Sequence, residues 1–201
     1  LTDPIIEPWW FSKNHKRPFV TLKIAATMDG FVAARDGSSR WITGEMARIQ
    51  VHQLRARVDA VAVGSATAVT DDPMLDVRLE GDWPQPAHYV IGTRVLPPLR
   101  MKNMKQLTTH DPAVALEQMY ADGVRHVMVE GGATLASAFI RAGLVDQLLW
   151  FTAPKLLGAG VDAIADLGIT NINDAVEWNL LKVEQFGQDV MLDLRPRSRA
   201  D

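Results

Sequence analysis

The amino-acid sequence predicts a three-layer α/β domain with a central, mostly parallel mixed sheet, an antiparallel C-terminal hairpin and helices on both faces of the sheet. Two observations lead to this fold class. Short apolar runs typical of buried strands alternate with segments of helical periodicity over most of the chain. Strand-like segments then follow one another towards the C-terminus, and a glycine lies between the last two.

The first strand is predicted within RPFVTLKIAATMDG, whose side chains from Phe19 to Ile24 alternate between two faces before the turn pair Asp29-Gly30. A helix is predicted next, with Thr43 as its N-cap, and the strand DAVAVG follows it. The apolar residues of this helix share one core-facing stripe: Ala47, Val51, Leu54 and Val58.

Three polar residues of the same helix, Arg48, His52 and Arg55, fall at the border of the apolar stripe. An arginine at such a border either leans into a cleft or stays in solvent, and the spacing alone leaves both open.

The remaining segments continue the alternation of strands and helices. In chain order they are a strand (HYVIGT), a helix closed by Gly123 (PAVALEQMYADG), a strand (RHVMVEGG), a helix (ATLASAFIRAGLVD), a strand (QLLWFTAPKLLG) and a hairpin that turns near Gly187 (NLLKVEQFGQDVMLDLRP).

Both ends of the chain are predicted to lie outside the domain, which we expect at residues 18–196. Residues 1–17 mix prolines, charges and aromatic residues without a sustained period, which is typical of a lead-in or linker. Residues 197–201 are expected to form a C-terminal tail. Three aromatic residues of the lead-in are expected to pack on the domain: Trp9, Trp10 and Phe11.

Composition excludes several classes of function. A net charge of −3 favours neither nucleic acid nor an anionic membrane as a partner. The absence of cysteine excludes disulfides and thiolate zinc sites, and no apolar run approaches the roughly 20 residues of a transmembrane helix. The five histidines are scattered without an H-E-x-x-H or H-x-E pairing, so no metal site is predicted. A cytoplasmic protein that binds any anion locally is the expectation.

The segment VMVEGGATLASAF predicts an anion site at the end of a buried strand. Two glycines follow Glu130 and a helix begins at once, which presents unpaired amide groups to a ligand. The alternative is a glycine pair that only closes a turn. Glu130 itself needs a partner, because an unpaired acid at the end of an apolar strand costs several kcal/mol. The sequence from Gly131, GGATLA, does not match the dinucleotide-binding fingerprint G-x-G-x-x-G.

Three further segments follow predicted strands or precede helices. SATAVTDDP combines small residues with two aspartates, DGSSRW offers hydroxyl groups and Trp41, and VIGTR offers Thr93 and Arg94. Taken singly, each has a structural alternative: a turn or aspartate cap, a core tryptophan, and a solvated loop.

Taken together, four segments resemble the pyrimidine reductase of riboflavin biosynthesis, in particular the C-terminal half of the bifunctional deaminase-reductase. They are RPFVTLKIAATMDGFVAARDGSSRWITG, VHQLRARVDAVAVGSATAVTDDPMLDVR, VMVEGGATLASAFIRAGLVD and APKLLG. The resemblance implies a dihydrofolate-reductase-like fold that binds NADPH. It also implies reduction of the ribosyl side chain of 5-amino-6-(5-phosphoribosylamino)uracil to ribityl, by hydride transfer to C1′.

The resemblance also implies site residues. The substrate contacts it implies are Ser39, Arg55, Leu75, Arg78 and Glu130, with Arg55 and Arg78 on the substrate phosphate and Glu130 as a catalytic residue that orients the substrate. The NADPH contacts it implies are Ala25, Trp41, Thr67, Asp71, Thr93 and the stretch 132–138, which begins with Gly132, Ala133, Thr134 and Leu135. Asp72, fixed ahead of Pro73, is expected to shape the turn instead.

The resemblance further implies a homodimer and, in the natural protein, a fused N-terminal zinc deaminase domain whose signature this chain lacks. One segment departs from the family: MKNMKQLTTH, residues 101–110, stands where the family usually has a longer stretch with another strand. Two other functions stay open: a related folate or pyrimidine reductase, and a nucleotide-binding module without turnover. The first would not require the substrate phosphate, and the second would bind NADPH without oxidising it.

Overall fold

The computed structural model of the chain describes residues 6–197. Their regular elements are α1 (Ile6–His15), β1 (Phe19–Thr27), β2 (Phe31–Ala33), α2 (Glu45–Arg55), β3 (Ala60–Gly64), α3 (Ser65–Asp71), β4 (Ala87–Ile91), β5 (Lys105–Leu107), α4 (Pro112–Ala121), β6 (His126–Glu130), α5 (Ala133–Arg141), β7 (Gln147–Ala153), β8 (Val161–Asp162), β9 (Trp178–Phe186) and β10 (Asp189–Pro196).

An eight-stranded mixed sheet forms the centre of the fold, in the order β5-β4-β3-β6-β1-β7-β10-β9. The six strands from β5 to β7 run parallel to their neighbours. The hairpin of β9 and β10 is antiparallel and joins the sheet through β7. The predicted fold class is therefore confirmed, including the antiparallel C-terminal edge.

Helices pack against both faces of this sheet, and the side chains of β1 alternate between these two faces. Val20, Leu22 and Ile24 lie in one core cluster with residues of α4 and α5, such as Phe139. On the opposite face, Ala25 packs against a cluster that includes Ala47 and Val51 of α2. The helix α2 therefore lies over the face on which Lys23 also lies, which brings its border residues to the end of β1.

The N-terminal segment, predicted as a lead-in or linker, contains a helix: residues 6–15 form α1. Phe11 packs edge-on against Phe19 at 5.4 Å between ring centroids, as expected. Trp9 and Trp10 are 54% and 57% exposed, so their prediction as anchors is wrong. The helix buries little of its apolar surface, which explains why no helical period is visible in its sequence. The predicted lead-in residues 1–5 and tail residues 198–201 lie outside the described residues.

Two local predictions about helices are wrong. The N-cap of α2 is Gly44, which has no side-chain cap, and Thr43 is buried instead of capping. The amide of Gly44 donates to Asp189 Oδ2 at 2.6 Å, so a side chain from β10 takes over the capping role. The small residues of SATAVTD form the helix α3 directly after β3, where the sequence indicated only a strand end and a turn.

The short segment after Arg100 still contains a strand. Residues 105–107 form β5, which pairs with β4 in parallel register, with Tyr89 opposite Lys105. This segment therefore supplies the edge strand on this side of the sheet.

Within residues 6–197, none of the helices combines the length and the apolar character that crossing a bilayer would require.

Acid should destabilise this fold through His126, the first residue of β6. Its Nε2 lies 2.9 Å from Thr21 Oγ1, and its ring packs edge-on against Phe19. Burial lowers the pKa of His126 from 6.5 to about 4. Between about pH 4 and pH 6.5 the unfolded chain binds a proton at His126 that the folded chain does not bind. The contribution of His126 to the free energy of unfolding is therefore constant above pH 6.5 and decreases below it. The free energy of unfolding should fall by up to about 3 kcal/mol as the pH drops from 6.5 to about 4.

Urea unfolding at a series of pH values checks this expectation. The variant His126→Gln should lose less stability than the wild type between pH 6.5 and pH 4, and the exposed control His110→Gln should follow the wild type. Identical pH slopes for His126→Gln and the wild type would show that this ring does not carry the effect.

Candidate active site at the carboxyl ends of the strands

Two clefts meet above the carboxyl ends of the parallel strands, where open α/β sheets commonly bind ligands. The larger cleft has a volume of about 420 Å³ and the smaller cleft about 220 Å³. Five residues line both: Lys23, Ala25, Ser39, Arg55 and Glu130. Groups bound in the two clefts would therefore meet at these five residues.

Glu130 ends β6 at this junction and is held by Arg55 of α2. Arg55 donates from Nε to Glu130 Oε1 at 2.7 Å and from Nη2 to Oε2 at 3.0 Å, which is a bidentate ion pair. Its Nη1 donates to the backbone oxygen of Asp76 at 3.1 Å. Arg55 is 8% exposed, so the border arginine does lean inwards and supplies the partner that Glu130 was predicted to need.

Lys23 completes this cluster and was missed from the sequence. It pairs in register with Glu130 across β1 and β6, and its Nζ lies 4.0 Å from Glu130 Oε2. The signal was present, since Lys23 is the one charged residue of β1, but the alternation could equally have placed it in solvent. In the structure it lies at the junction of the two clefts.

Burial and the charges of this cluster shift the pKa of Glu130 and the pKa of Lys23. Burial alone would raise the pKa of Glu130, but the charge and hydrogen bonds of Arg55, with the charge of Lys23, more than offset it and hold that pKa at about 2. Burial lowers the pKa of Lys23, and the Glu130 carboxylate offsets part of this effect. At neutral pH Glu130 is therefore ionised and accepts hydrogen bonds, while Lys23 is the group that can give up a proton more readily than an ordinary lysine.

The larger cleft is lined by residues predicted to contact the cofactor, together with Leu75, predicted to contact the substrate. These are Ala25, Thr67, Asp71, Gly132 and Leu75. Ala133, Thr134 and Leu135 form the first turn of α5 beside it. Thr93 is elsewhere: its Oγ1 lies 2.9 Å from His110 Nε2, and it is not among the residues that line either cleft.

Two glycines in the floor of the larger cleft, Gly131 and Gly132, leave little room for a side chain. A Cβ on Gly132 would lie 3.2 Å from Thr67 Oγ1, and one on Gly131 would lie 3.1 Å from Leu135 Cδ2. Gly132 is the N-cap of α5 and supplies no capping side chain, so the first amides of the helix are open to an anion. The residues present therefore fit the phosphates of a dinucleotide lying against the backbone.

The smaller cleft is lined by cationic and aromatic side chains of residues 40–55 and by Arg78. Trp41, predicted as a cofactor contact, lies here rather than in the larger cleft. Two residues that the sequence did not assign to function join it, Arg48 and His52. Burial, with the charges of Arg55 and Arg78, lowers the pKa of His52, so its ring is neutral at neutral pH.

The loop that carries Arg78 is fixed in place by neighbouring side chains. His52 Nδ1 lies 3.2 Å from both the Asp76 backbone oxygen and the Arg78 amide nitrogen. Gln85 bonds the amide and the carbonyl of Val77. The guanidinium of Arg78 itself remains half exposed, with Asp76 Oδ1 3.5 Å from its Nε.

Within the part of the chain that the structure describes, no cluster of three or more histidine and acidic side chains is arranged to hold a metal ion.

The two aspartates after α3 should respond differently to substitution by asparagine. Asp72 has a left-handed backbone (φ 38°), and its carboxylate accepts from the Arg100 amide at 2.8 Å and from Arg100 Nε at 2.9 Å. Asp71 lines the larger cleft. We expect Asp72→Asn to cost about 1 kcal/mol of stability with little change in cofactor affinity. Asp71→Asn should instead weaken cofactor binding with little change in stability.

Urea unfolding and calorimetric titration with NADPH measure these two quantities, and each variant is the control for the other. Equal effects of both substitutions on cofactor affinity would contradict the different roles assigned to them.

Comparison with known proteins identifies the family of this chain. The family model described as RibD C-terminal domain matches residues 18–192. The riboflavin biosynthesis protein RibD of Mycobacterium tuberculosis (strain ATCC 25618 / H37Rv) is 40% identical over 200 residues, which cover 96% of this chain and 58% of that protein. This chain thus spans little more than half of that relative's length.

Two solved structures are similar over nearly the whole chain. Acinetobacter baumannii RibD (form 1) has a TM-score of 0.87 at 29% identity, covering 96% of this chain and 62% of that one. A Thermotoga maritima protein described as a diaminohydroxyphosphoribosylaminopyrimidine deaminase/5-amino-6-(5-phosphoribosylamino)uracil reductase has a TM-score of 0.83 at 26% identity, covering 95% and 60%. By sequence and by fold, this chain belongs to the RibD C-terminal domain family.

Proposed function

We propose that the chain catalyses NADPH-dependent reduction of the ribosyl side chain of 5-amino-6-(5-phosphoribosylamino)uracil to the ribityl product, in riboflavin biosynthesis. The observation that carries this proposal is the shared wall of the two clefts, where Lys23 and Glu130 face both. The description of the Thermotoga maritima protein as this reductase supports the choice of substrate. That description also names a deaminase, and we propose that such an activity, in a fused domain or a separate protein, supplies the substrate.

The larger cleft would hold the cofactor. Its glycine floor, the hydroxyl of Thr67 and the open amides of α5 suit a dinucleotide whose phosphates rest on the helix N-terminus. Bound NADPH would supply the hydride. The chain's own contribution is to hold the nicotinamide half near Ala25 and Thr67, close to the wall that the clefts share.

The smaller cleft would hold the phosphorylated pyrimidine. Ser39 and Glu130 offer polar contacts, and Arg78 and its neighbours provide positive charge at the mouth of the cleft. The reaction needs close approach of the reacting carbon to the hydride donor, so the positioning by these residues is the main catalytic contribution of the chain.

Lys23 and Glu130 would divide the remaining work between them. Opening of the ribosylamine ring breaks the C1′–O4′ bond and gives an imine, so the hydride that adds to C1′ must be balanced by one proton on the adjacent nitrogen, and a group that is protonated at neutral pH can supply it. Glu130, with its pKa of about 2, is ionised and therefore orients the substrate and Lys23. The Lys23 ammonium, whose pKa burial lowers, is the better acid and would donate the proton beside the reacting carbon.

The test is oxidation of NADPH by the purified chain with the phosphorylated pyrimidine, with its dephosphorylated form and with dihydrofolate as separate substrates. The proposal expects turnover with the first, much weaker turnover with the second and none with the third. Equal rates with and without the phosphate would favour the related-reductase alternative. Binding of NADPH by calorimetry without oxidation on any substrate would favour the non-catalytic alternative.

We also propose that the chain forms a homodimer through β9, which is the last strand at its edge of the sheet. Leu180, Leu181 and Val183 are each more than half exposed on this strand, and an unpaired edge with apolar side chains favours association.

Analytical ultracentrifugation should therefore find a dimer for the wild type and a monomer for Leu181→Glu. Val95→Glu changes an apolar residue outside β9 that is even more exposed, at 90%, and should stay dimeric. A monomeric wild type would exclude this assembly.

A further inference from the structure

A third cleft, with a volume of about 730 Å³, lies on the same face of the sheet as α2 but towards the opposite ends of the parallel strands. Its floor crosses four neighbouring strands, with His126 at the start of β6, Thr21 on β1, Gln147 at the start of β7 and Asp193 on β10. Among the described residues, none that lines this cleft also lines either of the two clefts assigned to the cofactor and the substrate. The third cleft is therefore a separate site.

The polar side chains of the floor form a row of hydrogen bonds whose direction is fixed at Asp193. Its carboxylate only accepts, so the amide nitrogen of Gln147 faces it, with Nε2 2.9 Å from Oδ1 and 3.0 Å from Oδ2. The amide oxygen of Gln147 then accepts from the Thr21 hydroxyl at 3.0 Å. Because that hydroxyl has one hydrogen, Thr21 Oγ1 accepts from His126 Nε2, which lies 2.9 Å away.

This direction leaves His126 with a free acceptor. Burial lowers the pKa of His126 to about 4, so its ring is neutral at neutral pH. The one N–H of the neutral ring is on Nε2, and Nδ1 keeps a lone pair. Within residues 6–197 Nδ1 has no hydrogen-bond partner, and it is accessible to solvent. A molecule in the cleft would therefore meet a fixed acceptor at the β6 end of the floor.

Apolar side chains form much of the remaining surface of the third cleft. Leu54 and Val58 line it from the end of α2 and the turn that follows, and Met128, Leu149 and Met191 line it from the sheet. A few polar groups placed among apolar side chains are typical of sites for small molecules. The apolar surface suits the faces of a flat molecule, and the polar row suits one of its edges.

The charges around the third cleft do not favour an ion. Lys182 Nζ pairs with Glu184 Oε1 at 2.8 Å, and the carboxylate of Asp193 lies 3.6 Å from Arg195 Nη1 in addition to its bonds with Gln147. The side chain of Arg57 also lines the cleft but is exposed. A neutral molecule therefore fits this site better than an anion or a cation.

We propose that the third cleft is a second binding site, which takes a neutral, flat heterocyclic molecule that donates a ring N–H to Nδ1 of His126. The site does not rest on the proposed function, because it shares no lining residue with the two clefts of the reductase site among the residues described. A molecule bound here would pack against Leu54, which directly precedes Arg55 on α2.

Nitrogen NMR with isotopically labelled histidine tests the free acceptor at neutral pH. The probe is benzimidazole, and its matched control is N-methylbenzimidazole, which has the same flat ring without the N–H donor. In the wild type without a probe, Nδ1 of His126 should have the chemical shift of an unprotonated nitrogen. Benzimidazole should move that resonance towards the hydrogen-bonded value, and N-methylbenzimidazole should not.

Affinities for the two probes follow from the amide resonances of Met128 and Leu149, which line the cleft. The wild type should bind benzimidazole at least about fivefold more tightly than N-methylbenzimidazole. His126→Phe keeps a flat ring without either nitrogen and should bind the two probes equally. His110→Phe changes an exposed histidine outside the cleft and should keep the difference.

Three results would overturn the site. They are a His126 ring that carries its hydrogen on Nδ1, equal affinities of the wild type for the two probes, and binding of neither probe at Met128 and Leu149. The last result is also the one expected if a second copy of the chain covers this cleft. Turnover of NADPH is not part of this test, so a failure of the proposed function would leave the second site in place.

Discussion

Replacing Arg55 by methionine should lower the free energy of unfolding by about 3–5 kcal/mol, because it leaves the carboxylate of Glu130 buried without its guanidinium. The ion pair at 2.7 Å holds the pKa of Glu130 at about 2, and Lys23, at 4.0 Å, is too distant to replace two hydrogen bonds. The loss should be greatest at neutral pH, where Glu130 is ionised. It should shrink as the pH falls and the unpaired Glu130 takes up a proton.

The double variant Arg55→Met/Glu130→Gln is the informative comparison. It removes both charges of the pair and should recover part of the stability that Arg55→Met loses, since no unpaired carboxylate is left, although Lys23 then loses its carboxylate partner. Urea unfolding of the wild type, both single variants and the double variant gives the coupling energy directly. Arg57→Met is the matched control, because its side chain is exposed, and should stay within about 0.5 kcal/mol of the wild type. Additive losses in the double variant would mean that the two residues do not stabilise each other.

Replacing Lys23 by methionine should lower kcat about 100-fold or more while leaving the fold as stable as before. Loss of a general acid typically costs a factor of 10² to 10⁴. Lys23 is buried at the junction of the clefts, and removing a buried cation costs little stability when Arg55 still neutralises Glu130. An activity loss without a stability loss is the signature of a residue that acts in the reaction.

The pH profile separates this role from a purely structural one. In the wild type kcat should fall as the pH rises through the pKa of Lys23, which burial brings below the ordinary value of 10.5. This alkaline limb should vanish in Lys23→Met. Lys102→Met removes an exposed lysine and should keep both the rate and the limb. A Lys23→Met enzyme that retains the rate and the profile of the wild type would remove Lys23 from the mechanism.

The elements that carry the site could be predicted from sequence because their residues are locally consistent. The apolar runs of β1, β3, β4 and β6 identify buried parallel strands, and the glycine pair after Glu130 marks the start of a helix. The need of Glu130 for a partner also follows from its position at the end of an apolar strand. The sequence does not predict which residue is the partner of Glu130, because Arg48 and Arg55 both lie at the border of the apolar face of one helix. Only the packing of α2 on the sheet selects Arg55.

Other features depend on contacts between distant segments and could not be predicted. The amide of Gly44 is capped by Asp189, which is far along the chain, so Thr43 carries no usable signal. Five of the seven residues of the helix α3 have weak helix preference, and the burial of Ala68 in the core beside the larger cleft stabilises the helix. Trp41 matches a cofactor contact of the family by sequence, but its stacking with Arg48 puts its ring in the smaller cleft.

The central claim is that the two clefts bring a dinucleotide and a phosphorylated pyrimidine together at Lys23 and Glu130. The most direct test is turnover with NADPH deuterated at the nicotinamide carbon that donates the hydride, followed by mass spectrometry of the product. The account predicts a ribityl product one mass unit heavier, with the deuterium at C1′. A reduced product without deuterium, or with deuterium at another carbon, would contradict it.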